Sequence, residues 1–240
     1  AELIASVRAW DRLRNRVVWL ALGELGLAYR DSRLKQSLTD TEVGGGRLWG
    51  PTGRWVVLDA TFAVRQGSLS SRIAYSQLAG ALGVELGERV PERELREAVL
   101  ELRRSKGMVL DGTDHDTWSA GSFFTNPILT TEQAEQLPEG APRFPVTDHS
   151  QVVLGTKAAP VIEGLVKTSA AWLIDHAGFS KGFAVEAGAP AGLSTKHVLA
   201  LTNRGGATGA DLARLRDAVV SGVRERYGVT LVPEPVQVGF

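Results

Sequence analysis

Residues 119–127 read SAGSFFTNP, and this stretch does most to decide how the chain is interpreted. It sets the hydroxyl of Ser122 after a flexible Ala-Gly entry and before two aromatic rings, Phe123 and Phe124. Aromatic rings in such a position can keep water away from a neighbouring hydroxyl, although plain core packing is an equal alternative for each ring. The stretch therefore indicates a serine that is used for chemistry.

Ser122 lacks the sequence context of a hydrolase nucleophile. The Gly-x-Ser-x-Gly turn is missing, and no histidine stands at a fixed offset from the serine. The nearest one, His115, lies in the run DGTDHD at residues 111–116, whose spacing fits no metal-ligand template. We interpret this run as a polar loop and predict no metal site. A hydrolase that pairs Ser122 with His115 or His197 stays an alternative.

The amino-acid composition limits the number of domains and the kinds of partner that we expect. The 240 residues are 43% hydrophobic and 22% charged, which suits one large or two small globular domains. Lys plus Arg and Asp plus Glu both total 27, so no global field attracts nucleic acid or a membrane surface. The chain has no cysteine, and no apolar run approaches the roughly 20 residues of a membrane span. We expect a cytoplasmic protein with no nucleic-acid partner and no membrane partner.

Strand patterns dominate the first part of the chain. Alternating runs at residues 3–10 and 16–20 flank a polar turn and predict a β-hairpin, and residues 55–64 alternate as a third strand. The glycine-rich residues 39–53 between them are expected to form an exposed loop. Small residues at 67–71 predict a linker and a domain boundary.

The later part mixes helical and extended patterns. Apolar spacing and capping residues predict helices that begin at Pro91, Thr130, Thr168 and Thr208. Residues 197–203 predict a strand, whereas residues 138–166, rich in proline and glycine, predict a long loop. Strand patterns come first in the chain and mixed elements follow them, which indicates an α+β chain.

Two further segments offer charged side chains for a site. In YRDSRLK, residues 29–35, Arg30 carries a planar guanidinium that can hold a carboxylate through two parallel hydrogen bonds. The alternative is a solvated turn in which Asp31 and Ser32 cap a helix. Glu234 stands between two prolines, so its backbone is stiff and its side chain has a fixed direction. The alternative for Glu234 is an exposed loop glutamate.

Together, the segments YRDSRLK, SAGSFFTNP and PEP (residues 233–235) resemble the signature of the UDP-N-acetylenolpyruvoylglucosamine reductases, which are flavoenzymes of bacterial cell-wall synthesis. The resemblance continues through AAWLIDHAGFSKG (170–182) and STKHVLALTNRGGATGADL (194–212). It implies that NADPH gives a hydride to FAD, and that the reduced flavin gives a hydride to the β carbon of an enolpyruvyl ether. The product implied is UDP-N-acetylmuramate.

The resemblance also implies roles for single residues. Arg30 and Glu234 would hold the negative charge that develops on the substrate, and Ser122 would donate a proton to its α carbon. The residues implied to contact the substrate are Tyr75, Lys106 and Asn126. Without the resemblance, Lys106 would be a cation favoured at a helix end, and Tyr75 a half-buried tyrosine. The implied partners are the UDP-sugar enolpyruvyl substrate and a nicotinamide cofactor, bound by a protein that is a monomer when complete.

Glycine-rich loops that wrap the FAD pyrophosphate precede the YRxS segment in this family, and the sequence starts after them. Residues 44–46 and 205–206 are glycine runs that we do not expect in a strand–glycine–helix phosphate cradle, so no cofactor-binding residue is predicted. We predict the C-terminal end of a FAD-binding α+β domain at residues 1–66, followed by a mixed α/β substrate-binding domain at 67–230. Residues 231–240 would form a return segment that carries the catalytic Glu234. A truncated UDP-sugar-binding module without flavin activity is the alternative.

Overall fold

The computed structural model describes residues 3–148 and 159–239. Their strands are β1 (Ile4–Asp11), β2 (Arg16–Ala21), β3 (Trp55–Phe62), β4 (Ser119–Ser122), β5 (Ile128–Thr130), β6 (Phe144–Thr147), β7 (Val161–Lys167), β8 (Ala191–Leu193) and β9 (Ala200–Asn203). Their α-helices are α1 (Arg33–Gln36), α2 (Thr41–Gly44), α3 (Ser76–Leu82), α4 (Glu92–Arg104), α5 (Thr131–Glu135), α6 (Ala170–His176) and α7 (Gly209–Tyr227). Short 3-10 helices occupy Leu22–Leu25 and His115–Thr117. Helices and antiparallel sheets mix along the chain, which confirms the α+β fold class.

The chain divides into two compact units. Unit 1 comprises Ala1–Val64, Ile128–Thr168 and Val236–Phe240, and unit 2 comprises Arg65–Pro127 and Ser169–Pro235. The first division falls near the predicted boundary, but residues 128–168, which the sequence groups with the substrate-binding domain, lie in unit 1. The assignment of FAD and substrate to particular domains stays a prediction.

The first sheet of unit 1 is antiparallel in the order β2-β1-β3, and it confirms the predicted hairpin and third strand. Alternation along β1 turns Val7 and Ala9 to the buried face, where Leu20, Leu25 and Trp55 pack against them. A buried ion pair lies at the end of β1, where both guanidinium nitrogens Nε and Nη2 of Arg54 donate to the carboxylate of Asp11, at 3.0 and 2.7 Å.

The region predicted as an exposed loop at residues 39–53 is more ordered than the glycines suggested. It contains α2, and the side chain of Trp49 is only 5% exposed. The indole N–H of Trp49 donates to the carbonyl of Gly44 at 2.8 Å, and the guanidinium of Arg47 lies 3.4 Å from the ring centroid. The prediction of an exposed segment is confirmed for most of its residues, and what the sequence did not predict is the short helix α2 and the burial of Trp49.

The second sheet of unit 1 has the order β5-β7-β6. Its strands β6 and β7 lie in residues 138–166, so the prediction of a long loop there was wrong for the described part of that range. Residues 149–158, also in that range, lie outside the described residues. The capping box of Thr130 and Gln133 is confirmed, because each side chain bonds the backbone N–H of the other before α5.

Unit 2 joins a helix pair to a third sheet. Helices α3 and α4 pack over Ile73, Ala79 and Val90, and Pro91 precedes α4 as predicted. The sheet has the order β4-β9-β8, and Thr208 caps α7, the longest described helix, through its hydroxyl oxygen. None of the helices within the described ranges combines the length and the apolar character that crossing a bilayer requires.

Candidate active site

Ser122 is the last residue of β4, where the strand is irregular. Its Cα pairs with that of Ala200 in β9, and the register shifts between Ser119 and Ser122. Gly121 supplies the positive φ of 79° that the irregularity requires, which a glycine adopts without strain. Irregularities of this kind re-aim side chains at functional sites. The half-buried Ser122 therefore stands at a position that the backbone treats specially.

Backbone hydrogen bonds bring Glu234 to the strand of Ser122. The N–H of Phe123 donates to the carbonyl of Leu199 at 2.7 Å, and the N–H of Glu234 donates to the carbonyl of Phe123 at 2.8 Å. Phe124 and Pro233 form an antiparallel bridge beside these bonds. Two of the predicted catalytic residues, which lie far apart in the sequence, are thus neighbours across one short ladder in unit 2.

The two phenylalanines have different surroundings. Phe124 is 2% exposed and belongs to the core, so packing is its role. Phe123 is half-buried beside Ser122, and the two rings meet edge to face with centroids 5.3 Å apart. Phe123 is therefore the ring that the core does not fully enclose, and its shielding of the serine hydroxyl stays a prediction.

Tyr75 and Lys106 line one cavity of about 330 Å³ between α3 and α4. The ammonium of Lys106 donates to the side-chain oxygen of Gln77 at 2.8 Å, and Arg103 adds a second cation to the lining. Tyr75, at the start of α3, is 75% exposed. The cavity combines apolar walls with two positive charges, which suits an anionic ligand. Sequence reasoning missed Gln77 and Arg103, because only the packing of two helices shows that they face Lys106.

His197, which the sequence predicts only as an alternative hydrolase partner of Ser122, lies within electrostatic reach of Lys106 in this site. Burial lowers the pKa of His197, and the positive charges of Lys106 and Lys181 lower it further. The imidazole is therefore neutral at pH 7. Because His197 lies three residues before β9, the charge of Lys106 acts on the turn that leads to the partner strand of Ser122.

Asn126 is half-buried, and its side-chain oxygen accepts the N–H of Ala170 at 3.0 Å, at the first residue of α6. This bond fixes the segment that follows SAGSFFT against a helix start. It assigns the amide oxygen of Asn126 to the protein itself, and the substrate contact of Asn126 stays a prediction.

Arg30 belongs to unit 1. It is exposed, and its φ of 54° lies in the left-handed region that residues other than glycine rarely adopt. A backbone bridge between Ala28 and Asp31 encloses this turn, and the ammonium of Lys35 donates to the carbonyl of Arg30 at 3.1 Å. Conformations of this kind cost about 1–3 kcal/mol and cluster at functional sites.

The alternative interpretation of YRDSRLK is confirmed in part. The hydroxyl of Ser32 caps α1 by accepting the N–H of Lys35 at 3.2 Å. Asp31 instead accepts from the side-chain amide of Gln36 at 2.7 Å. Capping and an exposed Arg30 coexist, so the two interpretations do not exclude each other.

The acidic run 111–116 forms a braced loop. The carboxylate of Asp114 pairs with the ammonium of Lys196, and that of Asp116 accepts from Thr195. Among the described residues, no three side chains of His, Cys, Asp or Glu are arranged to hold a metal ion.

Residues 113–238 match the family described as UDP-N-acetylenolpyruvoylglucosamine reductase, C-terminal domain. The chain belongs to this family. The matched range contains Ser122, Asn126, His197 and Glu234, and it leaves Arg30, Tyr75 and Lys106 outside.

Curated relatives carry the same name over a greater length. The UDP-N-acetylenolpyruvoylglucosamine reductase of Cutibacterium acnes is 48% identical over 238 residues, which are 99% of this chain and 55% of the relative. That of Thermobifida fusca is 46% identical over 243 residues, with 100% of this chain and 61% of the relative covered. The chain thus spans little more than half the length of these reductases.

A solved structure, the UDP-N-acetylenolpyruvylglucosamine reductase of Thermus caldophilus, is 19% identical to this chain with a TM-score of 0.45. The match covers 97% of this chain and 52% of that one.

Members of the reductase family are expected to use FAD, so the two glycine runs are the first places to test. Gly205 and Gly206 do lie between a strand, β9, and a helix, α7, and the expectation that they lack this context was wrong. Their surroundings nevertheless do not fit a pyrophosphate. The N–H groups of Gly205 and Ala207 already donate to the side-chain oxygen of Asn203, at 2.9 and 3.0 Å.

A carboxylate also occupies the anion position at the start of α7. Hydrogen bonds from Thr208 and Arg214 lower the pKa of Asp211 to about 2, so this side chain is anionic and would repel a phosphate. In the other run, Gly44 ends α2 and Gly45 follows it, so the carbonyl end of a helix, not the N–H end, lies there. Neither glycine run fits the pyrophosphate of FAD.

Proposed function

We propose that this chain supplies the substrate-binding and proton-delivering part of a UDP-N-acetylenolpyruvoylglucosamine reductase. The whole protein would reduce UDP-N-acetylglucosamine enolpyruvate to UDP-N-acetylmuramate for peptidoglycan synthesis, as a cytoplasmic monomer. The observation that carries the proposal is the short ladder in which Glu234 bonds the residue next to Ser122. Family membership supports it independently.

The cavity between α3 and α4 is the proposed site for the anionic part of the UDP-sugar. Lys106 and Arg103 supply positive charge there, and Gln77 already holds the ammonium of Lys106 in one direction. A charge that is oriented before the ligand arrives loses little side-chain entropy on binding. Tyr75, exposed at the same cavity, offers a ring and a hydroxyl to the ligand.

Proton delivery is the proposed task of Ser122. Addition of a hydride to the β carbon of the enolpyruvyl ether breaks the carbon–carbon double bond and leaves an electron pair on the α carbon. The O–H bond of Ser122 then breaks, its proton forms the new α C–H bond, and the serine oxygen regains a proton from solvent. A hydroxyl can act as this acid only where water is restricted, and the half-buried Phe123 supports that condition.

Arg30 is proposed to stabilise the negative charge that develops during this step, and Glu234 is proposed to stabilise the enol intermediate by hydrogen bonding to it. A guanidinium remains protonated and matches the two oxygens of the substrate carboxylate. The left-handed backbone of Arg30 supports a functional constraint on that residue. The stiff backbone of Glu234 limits the directions that its carboxyl group can take.

FAD reduced by NADPH is the proposed source of the hydride when it is bound to the whole protein, and neither glycine run of this chain is assigned to it. The residues described above bind, orient and protonate the substrate, whichever segment holds the cofactor.

Substrate binding to the α3–α4 cavity gives a direct test. Lys106→Met should weaken binding of UDP-N-acetylglucosamine enolpyruvate by about tenfold to a hundredfold, since a hydrogen bond to a charged group contributes about 1.5–3 kcal/mol. Isothermal titration calorimetry on the complete protein measures the dissociation constant.

Arg104→Met is the matched control, because Arg104 is the last residue of α4, two residues before Lys106, but lines a different cavity. It should leave the affinity unchanged. Equal affinity in Lys106→Met and wild type would remove this cavity from the proposal. Tight binding by a protein that never turns the substrate over would favour the UDP-sugar-binding module instead.

A further inference from the structure

The acidic loop at residues 111–118 is tied to the turn at residues 194–197 by side chains. Asp116 accepts the N–H of Thr195 at 2.9 Å and also its hydroxyl, while Asp114 pairs with Lys196. Within the loop, the hydroxyl of Thr117 donates to the carbonyl of Asp111 at 2.9 Å. The loop is therefore braced internally, and two of its carboxylates reach the turn.

These contacts are charge-assisted. Burial acts to raise the pKa of Asp116, but hydrogen bonds from Thr195 and the charge of Lys196 outweigh it and leave the pKa below its usual value. The bond with Asp114 raises the pKa of Lys196. The carboxylate of Asp116 is thus ionised near neutral pH, the state in which a carboxylate accepts its strongest hydrogen bonds.

Hydrogen bonds connect the turn at residues 194–197 to β9. The hydroxyl of Ser194 accepts the N–H groups of Lys196 and His197, at 3.0 and 3.3 Å. The N–H of Ala200 then donates to the carbonyl of His197 at 3.0 Å, and the N–H of Ser194 donates to the carbonyl of Ala200 at 2.8 Å.

The next residues along β9 hold the segment of Ser122. Leu199 accepts the N–H of Phe123, and Ala200 is the Cα partner of Ser122. Only a few bonds therefore separate the carboxylate of Asp116 from the backbone of the proposed proton donor, and all of them lie in unit 2.

We propose that Asp116, assisted by Asp114, is a positioning residue for proton delivery by Ser122. The two carboxylates fix the turn at 194–197, the turn fixes the start of β9, and β9 sets the backbone of Ser122 and Phe123. The inference rests on the proposed function for its catalytic consequence. The polar loop at residues 111–116, for which the sequence predicted no function, thereby receives a structural role in positioning Ser122.

The positioning can be measured without any turnover. In Asp116→Ala, the imidazole of His197 should lose burial, so its pKa should rise towards the ordinary histidine value, and the amide of Phe123 should exchange with solvent about tenfold faster. Nuclear magnetic resonance of the complete protein follows both probes. The charges of Lys106 and Lys181 act on His197 in both proteins.

A second variant and a control separate positioning from charge. Thr195→Val removes the hydroxyl bond to Asp116 without changing any charge, and it should move both probes in the same direction by a smaller amount. Asp111→Ala removes a carboxylate from the same loop that accepts from Thr113 and acts on Lys196 through its charge alone, so both probes should stay close to wild type. Unchanged probes in Asp116→Ala, or equal changes in Asp111→Ala, would overturn the inference.

The catalytic consequence needs the whole enzyme. At saturating substrate, Asp116→Ala should lower the rate of substrate reduction by about a hundredfold, the size expected for a misplacement of about 1 Å, with a smaller change in KM. A shifted His197 with a wild-type rate would overturn the role of Asp116 in proton delivery. A wild-type protein that never reduces the substrate would overturn the proposed function itself, and the resonance measurements would still decide whether Asp116 positions the turn.

Discussion

The two units of this chain differ in the side chains that they bury. In unit 2, helices α6 and α7 bury apolar side chains completely, with Leu173, Ile174, Leu215, Val219 and Val223 at 0% exposure. In unit 1, strand β3 is exposed along most of its length, and Phe62 is 58% exposed. Unit 1 buries the charged pair Asp11–Arg54 in addition to its apolar cluster around Val7 and Ala9.

This contrast explains which site residues the structure connects. Apolar packing in unit 2 supports a sheet whose edge joins Ser122, Phe123 and Glu234 through backbone bonds. Arg30 in unit 1 stands on an exposed turn in a strained conformation. The proton-delivery residues therefore have a rigid support within one unit, whereas Arg30 depends on a local turn.

The largest effect on stability is expected at the buried pair of unit 1. Arg54→Met should lower the free energy of unfolding by about 3–5 kcal/mol, because it leaves the carboxylate of Asp11 buried without its guanidinium partner. Denaturant unfolding measures the change. Arg14→Met is the control, since this guanidinium is 58% exposed at 3.7 Å from the same carboxylate and should contribute less than about 1 kcal/mol.

The same pair gives a prediction for pH. Burial acts to raise the pKa of Asp11, but the bonds from Arg54 and from the N–H groups of Arg14 and Leu13 leave it below the usual value. A lowered folded pKa stabilises the protein above the unfolded value of about 4 and loses this contribution as the pH falls through the folded value. The gap between wild type and Arg54→Met should therefore shrink at acid pH, and a constant gap would contradict the assignment.

A smaller effect is expected in the apolar core of unit 2. Val219→Ala should cost about 2 kcal/mol, because it removes two buried carbons and leaves a cavity. Val220→Ala, the same change at the next residue of α7, should cost less because Val220 is only partly buried. If Val219→Ala cost more than Arg54→Met, the contrast between the two units would be wrong.

Local signals made much of the fold predictable. Alternation predicted the β1–β2 hairpin and β3, and capping residues predicted α4, α5 and α7, because each signal lies within a few residues of the element that it starts. Strands β5 and β6 escaped prediction because they are short, and β7 escaped it because its residues show no clear period of alternation. The burial of Trp49 in the 39–53 segment likewise involves a distant segment, since the guanidinium of Arg12 lies 4.8 Å from the centroid of its ring.

The candidate site also divides into residues that the sequence could identify and contacts that it could not. The residue types of Ser122, Arg30 and Glu234 could be selected from the sequence because each suits the chemistry of the family. Their neighbours could not, since the bridge between Phe124 and Pro233 and the cavity shared by Tyr75 and Lys106 arise only when distant segments pack. The predicted strand at 197–203 and the predicted helix from Thr208 already flank Gly205 and Gly206, so the sequence was sufficient to place these glycines between a strand and a helix.

The central claim is that Ser122 protonates the substrate and takes no part in the supply of the hydride. Stopped-flow spectroscopy of Ser122→Ala in the complete enzyme separates the two half-reactions. Reduction of the flavin by NADPH should keep nearly the wild-type rate, while its reoxidation by the enolpyruvyl substrate should slow by about a thousandfold or more. Ser119→Ala, which removes a hydroxyl from the same strand, should lose less than about tenfold in either step. Equal slowing of both half-reactions in Ser122→Ala, or reoxidation at the wild-type rate, would contradict the account.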